Sequence, residues 1–186
     1  MAVRIEGYAI VSLDGMIADK DGRMTDALIV EADQRFYAES LSRAALIVHG
    51  RNSAEPGSQA TRRRRAIVTR RIEALQRTAA DSDIWLWNPR GLPFAGLLER
   101  LALSGGIVAV VGGTEVFDLF LTIGYDAFYL TRSARGSLPG GRPVFAAVPA
   151  QTPEDILRRA GLRLTDEREL EPGATLAVWE RPAHRS

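Results

Sequence analysis

The stretch Ile107-Val-Ala-Val-Val-Gly-Gly-Thr-Glu-Val-Phe117 combines the most apolar short run of the chain with a pair of glycines. A continuous apolar run of this length, bounded by turn residues, indicates a strand buried on both faces of a sheet. The residues from Thr114 to Leu121 then favour a helix. A buried strand, two glycines and a helix are typical of α/β proteins, whose ligands bind beyond the carboxyl ends of the strands.

A second junction of this kind lies earlier in the chain. Residues 45–49 predict a short buried strand, and Gly50 ends it before Arg51-Asn52-Ser53 opens a short helix that Pro56 terminates. The free N–H groups of a helix N-terminus favour phosphate, and glycine lets the backbone approach a ligand closely, so both junctions suit a nucleotide pyrophosphate. Each is also typical of an ordinary turn, because neither has the spaced glycines of a Rossmann fingerprint or the lysine of a P-loop.

The rest of the chain alternates strands with helices. Strands are predicted at 3–13, 65–69, 83–87 and 125–132, helices at 31–43, 72–80, 94–103 and 153–160, and a long loop at 14–24. The segments 162–170 and 175–181 flank Glu171-Pro172-Gly173 and predict an antiparallel hairpin. We therefore expect one α/β domain of three layers, with a mostly parallel mixed sheet, helices on both faces and a hairpin at one edge.

Composition excludes several classes of function. The chain has 186 residues and no cysteine, so thiolate zinc sites and cysteine nucleophiles are excluded, and no metal site is predicted. Its 24 basic and 23 acidic residues give a net charge of +1, which argues against a nucleic-acid partner despite the basic run from Arg62 to Arg65. No apolar run approaches the roughly 20 residues of a membrane span, so we expect a cytoplasmic protein without a membrane partner.

Several segments, in order along most of the chain, resemble the dihydrofolate reductase superfamily, and most closely its riboflavin-biosynthesis reductase branch. The matching segments are Ser12-Leu-Asp-Gly-Met-Ile-Ala18, Glu31-Ala-Asp-Gln-Arg-Phe36, Gly50-Arg-Asn-Ser-Ala-Glu55, Val110-Val-Gly-Gly-Thr-Glu-Val-Phe117, Asp126-Ala-Phe-Tyr-Leu-Thr131 and 139–145. The resemblance implies a dihydrofolate reductase-like fold. It also implies hydride transfer from NADPH to a small pteridine-like or ribosylaminopyrimidine-like heterocycle.

The same resemblance implies a set of cofactor-binding residues. Ile10 and Ile17 are expected on the nicotinamide side. The residues expected at the pyrophosphate are Gly50, Arg51, Asn52 and Ser53 on one side, and Gly112, Gly113, Thr114, Glu115, Val116 and Phe117 on the other. Thr69 and Arg70 fall where the superfamily binds the adenosine 2′-phosphate, and arginine suits a dianionic phosphate, which favours NADP over NAD. Arg70 and Arg71 are equally typical of solvated charges at a helix start.

Asp33 is the predicted catalytic carboxylate, because the superfamily carries its acid on the helix that borders the substrate pocket. Burial would raise its pKa into a useful range. An acidic residue in the first turn of a helix is also explained by the helix dipole alone. The resemblance adds Phe36, Thr131 and Arg63 or a neighbouring arginine as substrate-binding residues.

Two departures from the pattern keep alternatives open. The tryptophan that follows the mobile loop of true folate reductases is missing from the stretch Arg23-Met-Thr-Asp-Ala-Leu28, which weakens dihydrofolate as the substrate. Glu115 places a negative charge beside the pyrophosphate loop, where it would repel phosphate unless it points away. The alternatives are a true dihydrofolate reductase and a non-catalytic nucleotide-binding module, and we expect a homodimer by analogy with the riboflavin-type relatives.

Overall fold

The computed structural model describes residues 2–53 and 63–183, which fold around a sheet of nine strands. In sheet order the strands are β10 (Arg163–Glu171), β11 (Ala174–Glu180), β8 (Ala127–Ser133), β1 (Val3–Val11), β7 (Gly106–Val110), β3 (Ala44–Gly50), β4 (Arg65–Val68), β6 (Ile84–Trp87) and β5 (Leu75–Arg77). The helices are α1 (Glu31–Ser42), α2 (Phe94–Arg100), α3 (Thr114–Ile123) and α4 (Pro153–Arg159). A separate antiparallel pair joins β2 (Met16–Ala18) to β9 (Arg142–Pro143).

The centre of the sheet is parallel and its two edges are antiparallel. Strands β8, β1, β7, β3, β4 and β6 run in one direction, whereas β10 and β11 form the predicted hairpin against β8 and β5 turns back along β6. The predicted mixed sheet with a terminal hairpin is therefore confirmed.

Alternation along the central strands divides the core into two layers. Leu46, Val48, Val108 and Val110 face a large cluster that includes α2, α3 and α4, built around Trp87, Phe117, Phe120 and Phe128. The intervening residues Ile47 and Ala109 point to the opposite face, where they pack with Tyr8 of β1 and Leu41 of α1. Because neighbouring residues of a strand point to opposite faces, strands buried on both sides contain continuous apolar runs. The predicted three-layer arrangement is confirmed.

The helix predicted at 72–80 is wrong. This segment contains strand β5, which pairs with β6 so that Leu75 lies opposite Trp87. The turn after β6 fixes this arrangement, because the Asn88 side-chain amide donates a hydrogen bond to the Ile72 carbonyl at 2.8 Å and the Asn88 N–H donates to the Ala74 carbonyl at 2.7 Å. Long-range pairing thus overrides a local helical pattern.

Four other predictions need adjustment. The loop at 14–24 contains β2, whose partner β9 lies in the Pro/Gly-rich stretch after β8. The first strand ends at Val11, and the strand predicted from Tyr125 begins at Ala127. The helix predicted from Arg51 to Pro56 lies mostly outside the described residues, and Arg51 and Asn52 form a turn.

Trp87 is fully buried in the core. Among the described residues, no helix has both the length and the apolar character needed to cross a membrane.

Gly7 lets the central strand β1 pack closely against the aromatic core. A Cβ atom at this position would collide with the Phe128 ring and lie 2.9 Å from Tyr125 Cε1, and both rings are buried. Gly7→Ala should therefore lower the free energy of unfolding by about 1–3 kcal/mol, measured by urea denaturation. Combined with Phe128→Leu, which reduces the obstructing ring, it should cost less than the sum of the two single changes. Strict additivity would contradict this packing.

Candidate functional site

A cleft of about 540 Å³ lies beyond the carboxyl ends of β3, β4 and β7. Adjacent strands β1 and β7 lead into α1 and α3 on opposite faces of the sheet, and such a divergence opens a crevice at the strand ends. The cleft volume lies within the roughly 300–1,000 Å³ of small-molecule sites. The first turn of α3 forms one wall, and β2 and β9 form another.

Most of the predicted cofactor-binding residues converge on this cleft. Its lining contains Ile17, Gly50, Arg51, Asn52, Ser53, Thr69, Arg70, Gly113, Thr114, Glu115 and Val116. They come from four separate segments of the chain, so their convergence was not contained in any one motif. The remaining three predicted residues, Ile10, Gly112 and Phe117, lie outside the lining.

The two glycine junctions are joined directly to each other. The Gly50 N–H donates a hydrogen bond to the Gly112 carbonyl at 2.7 Å, and the Gly112–Gly113 peptide bond is cis. A Cβ atom on Gly113 would lie 3.5 Å from Ser53 Oγ and 3.9 Å from Ile17 Cδ1, both of which line the cleft. A side chain at position 113 would thus project into the cleft, so glycine at this position leaves that space free for a ligand.

Helix α3 points its N-terminus into the cleft. Gly113 precedes the helix, and its carbonyl accepts hydrogen bonds from the N–H groups of Val116 and Phe117. The N–H groups of Thr114 and Glu115 belong to the first turn, where a helix has no internal acceptor for them, and they suit an anion. The Thr114 hydroxyl donates to the Pro143 carbonyl, which ties α3 to β9. Its proton is therefore used within the protein.

The cleft is richer in positive charge than the chain as a whole. Arg51, Arg70, Arg71 and Arg142 line it, against the two carboxylates Asp21 and Glu115. The Glu115 carboxylate has a cationic partner in the cleft, because Arg70 Nη2 lies 3.3 Å from both of its oxygens. A cleft with four arginines and a helix N-terminus is suited to a ligand that carries several phosphates.

Three of the predicted ligand contacts lie outside the cleft lining. Phe117 is 1% exposed and packs in the core against Phe128, so it supports Gly112 from below instead of contacting a ligand. Ile10 lies on β1 opposite Thr131, away from the cleft lining. Arg63 precedes β4, at the end of that strand remote from the cleft.

The strand registers show how far Arg63 lies from Asp33. Arg65 is paired with Ile47, Ile47 with Ala109, and Ala109 with Glu6, so Arg65 is level with Glu6 along the strand direction. Thr131, which contacts Asp33, is paired with Ile10, four residues further along β1. The four residues from Glu6 to Ile10 span about 13 Å along the strand, and four strand spacings of about 4.8 Å separate β4 from β8. Arg63 therefore does not lie beside Asp33, and a substrate contact by Arg63 or a neighbouring arginine stays a prediction.

Asp33 and Thr131 form the second polar centre at this end of the sheet. The Thr131 hydroxyl, on β8, donates a 2.5 Å hydrogen bond to Asp33 Oδ1, on α1. Thr131 is buried and Asp33 is half-buried. The two residues were predicted to share a pocket, and the structure brings them into direct contact across 98 residues of sequence.

Phe36 lies one helical turn after Asp33 in an aromatic cluster. Its ring centre is 5.5 Å from that of Tyr129 and 6.2 Å from that of Tyr8, and the two tyrosines stack at 4.9 Å. The Tyr8 hydroxyl donates to the buried carboxylate of Glu6. This cluster forms the apolar surface next to the Asp33 and Thr131 pair, although the sequence indicated only Phe36.

The C-terminal hairpin fixes the helix that carries Asp33. The Ala32 N–H, in the first turn of α1, donates to Glu171 Oε2 at 3.0 Å. Arg135 binds Glu171 Oε1 at 2.7 Å and also donates to the Ile29 carbonyl, just before the helix. A side chain from β10 therefore provides the acceptor that the start of α1 lacks in itself.

The surroundings of Asp33 shift its proton affinity upward. Burial raises the pKa of Asp33, the Thr131 hydrogen bond lowers it, and the nearby Glu171 carboxylate raises it again. The net direction is upward, so Asp33 holds a proton at higher pH than an exposed aspartate does. A half-buried carboxyl group with raised pKa is suited to proton transfer.

The sequence did not predict several of the residues that form these two centres. Arg142 and Asp21 line the cleft, but they lie in the matching segment 139–145 and in the predicted loop 14–24, and neither residue was predicted to bind a ligand. The glycines around both residues gave a signal for loops, and loops at the strand ends of an α/β sheet are where ligands bind. Glu171 carried no local signal at all, because its partner lies 139 residues away.

Comparison with known proteins identifies the fold. No family model and no curated protein matches the sequence. Solved structures do match over nearly the whole chain, and among them are a dihydrofolate reductase and proteins of riboflavin biosynthesis. The protein therefore has the dihydrofolate reductase-like fold, with its similarity extending to the riboflavin-biosynthesis branch.

Three of these structures illustrate the similarity. A candidate riboflavin biosynthesis protein from Shewanella sp. PV-4 has 17% identity and a TM-score of 0.65, covering 98% of this chain and all of its own. A diaminohydroxyphosphoribosylaminopyrimidine deaminase/5-amino-6-(5-phosphoribosylamino)uracil reductase from Thermotoga maritima has 14% identity and a TM-score of 0.64, and this chain spans 57% of it. Dihydrofolate reductase from Enterococcus faecalis, complexed with NADP(H), has 12% identity and a TM-score of 0.62, with 97% of both chains covered.

Asp33 should impose a stability cost that depends on pH. Because its pKa is raised on folding, the folded state binds this proton more tightly, and stability falls as the pH rises from the unfolded pKa of about 3.9 through the folded value. Asp33→Asn keeps an acceptor for Thr131 without the charge. It should raise the melting temperature at about pH 7.5 and leave it nearly unchanged at about pH 3, measured by calorimetry.

The matched control is Glu39→Gln, which removes an exposed carboxylate from the same helix. It should not reproduce this pH-dependent gain. A melting temperature of Asp33→Asn that falls at neutral pH, or rises equally at both pH values, would contradict the environment described for Asp33.

Proposed function

We propose that this protein is an NADPH-dependent reductase of a small heterocycle, either pteridine-like or ribosylaminopyrimidine-like. The observation that carries the proposal is the convergence of separate segments on one arginine-rich cleft, beside a half-buried carboxyl group with raised pKa. The fold is shared with reductases, including one complexed with NADP(H). In such enzymes the cofactor supplies the hydride, and the protein supplies placement and the proton.

The cleft residues fit a dinucleotide. Gly50 and Gly113 leave room for the pyrophosphate close to the backbone, and the first turn of α3 supplies N–H groups toward it. Ile17 gives an apolar surface for the nicotinamide ring. Arg70 stands on the rim after β4 and would bind the adenosine 2′-phosphate, with Thr69 beside it at the end of the strand.

Asp33 is assigned to the proton. Its Oδ1 accepts the Thr131 hydroxyl, which leaves Oδ2 to bind a ring N–H of a pteridine or aminopyrimidine. The raised pKa increases the share of protonated carboxyl group near neutral pH, so Asp33 can donate to the nitrogen of a C=N bond as the carbon accepts a hydride. The rings of Phe36 and Tyr129 would exclude water from that side of the heterocycle.

The cofactor preference is tested by titrating NADPH and NADH against tryptophan fluorescence. Tryptophan reports on binding because the dihydronicotinamide ring absorbs light at the wavelengths that indole emits, so a bound cofactor quenches the fluorescence. Trp87 lies on β6, next to the strand β4 that ends at the cleft. Arg70→Ala removes charge-assisted hydrogen bonds to the 2′-phosphate and should weaken NADPH binding by roughly 10–100-fold, with NADH within about twofold. Arg90→Ala, at an exposed position outside the cleft, is the matched control. Failure of wild type to bind either nucleotide would refute the proposal.

Turnover is tested separately with Asp33→Asn. Loss of the proton donor should lower kcat by roughly 10²–10⁴-fold while the dissociation constant of NADPH stays within about twofold. The assay follows the oxidation of NADPH with dihydrofolate and with ribosylaminopyrimidine substrates, which also separates the riboflavin-type reductase from a true dihydrofolate reductase. Binding of NADPH without turnover of any such substrate would instead favour the non-catalytic nucleotide-binding module.

A further inference from the structure

Glu115 is the acidic residue in the cleft that a phosphate-binding site would not be expected to contain. It occupies the first turn of α3, where anionic ligands would otherwise meet free N–H groups. Its carboxylate reaches across the cleft to Arg70, on the segment that follows β4. The ion pair therefore joins the first turn of α3 to the segment after β4 at the rim of the cleft.

The ion pair is weak by its geometry. Both contacts are 3.3 Å long and use the single nitrogen Nη2, whereas strong guanidinium–carboxylate pairs use two nitrogens at about 2.7–2.9 Å. The side chains are 68% and 84% exposed, so water and salt screen the attraction. Arg70 is thus held in place by Glu115, but not so firmly that a more highly charged anion could not displace the carboxylate.

We propose that Glu115 is a specificity-determining residue, an internal competitor that occupies Arg70 and thereby limits the preference of the cleft for a 2′-phosphorylated nucleotide. This inference rests on the proposed function. A 2′-phosphate must exchange places with the Glu115 carboxylate at the guanidinium of Arg70.

A nucleotide with a free 2′-hydroxyl does not face this competition. It brings no charge to Arg70, so the ion pair can persist while the rest of the nucleotide binds. Glu115 therefore disfavours NADPH relative to NADH, and the wild-type protein should discriminate between them less than its arginines would allow. The other carboxylate of the cleft, Asp21, is not paired with Arg70 and should have a smaller selective effect.

The test measures the affinity of the subsite without any reaction. Adenosine 2′,5′-bisphosphate and adenosine 5′-monophosphate differ only in the 2′-phosphate, and calorimetric titration gives both dissociation constants. Glu115→Gln should tighten binding of the bisphosphate by roughly two- to tenfold and change binding of the monophosphate by less than about 1.5-fold. The gain should shrink in about 1 M salt, where screening is short-ranged.

Two further variants show whether the effect passes through Arg70. In an Arg70→Ala background, the additional change Glu115→Gln should no longer give the gain, because there is no guanidinium to release. Asp21→Asn removes a charge from the same cleft that does not contact Arg70, so it should favour the bisphosphate over the monophosphate by a smaller factor than Glu115→Gln does. A gain that persists without Arg70, or one that is equal for both nucleotides, would overturn the role assigned to Glu115.

Failure of this inference and failure of the proposed function look different. If the bisphosphate binds and Glu115→Gln leaves its affinity unchanged, only the competition is refuted and the cleft remains a nucleotide site. If neither the two adenosine nucleotides nor NADPH binds to wild type or to any variant, the proposed function is refuted and the role of Glu115 with it.

Discussion

One hydrogen bond, from the Gly50 N–H to the Gly112 carbonyl, sets the geometry of the cleft. It joins the ends of adjacent strands β3 and β7 and so fixes the distance between Gly50 and the start of α3, both of which line the cleft. Gly112 must itself be glycine, because its φ is +96° and a Cβ atom on it would lie 2.7 Å from the Phe117 ring. Because Phe117 is itself immobilised in the core, the site inherits the rigidity of the sheet.

The sequence predicts what depends on local patterns. Apolar runs that end in glycine identified β3 and β7, and with them the cleft, because a strand buried on both faces has few alternatives. Position across the sheet is not encoded locally. Four adjacent arginines offered no way to decide which of them faces a ligand, and Arg63 proved to precede the strand at its remote end. Phe117 matched a motif but supports the cleft from the core.

The Asp33 centre shows the same limit in another form. The resemblance to a known family indicated Asp33 as the carboxyl group at this centre, but the environment of Asp33 consists of groups that are distant along the chain. Thr131 holds one oxygen, and Glu171 both caps the start of α1 and adds a negative charge nearby. Half-burying such a group costs folding stability at neutral pH, a cost that proteins commonly accept where proton transfer is required.

The contact between Ala32 and Glu171 spans 139 residues and therefore has a consequence during synthesis on the ribosome. Translation adds about 5–20 residues per second, so α1 waits roughly 7–30 seconds for the strand that caps it. The strands whose ends line the cleft all emerge before that strand. During this interval α1 can already pack Leu41 against β1, β3 and β7, but the Ala32 N–H lacks its acceptor. The start of α1 is therefore fixed only when the C-terminal hairpin has been made.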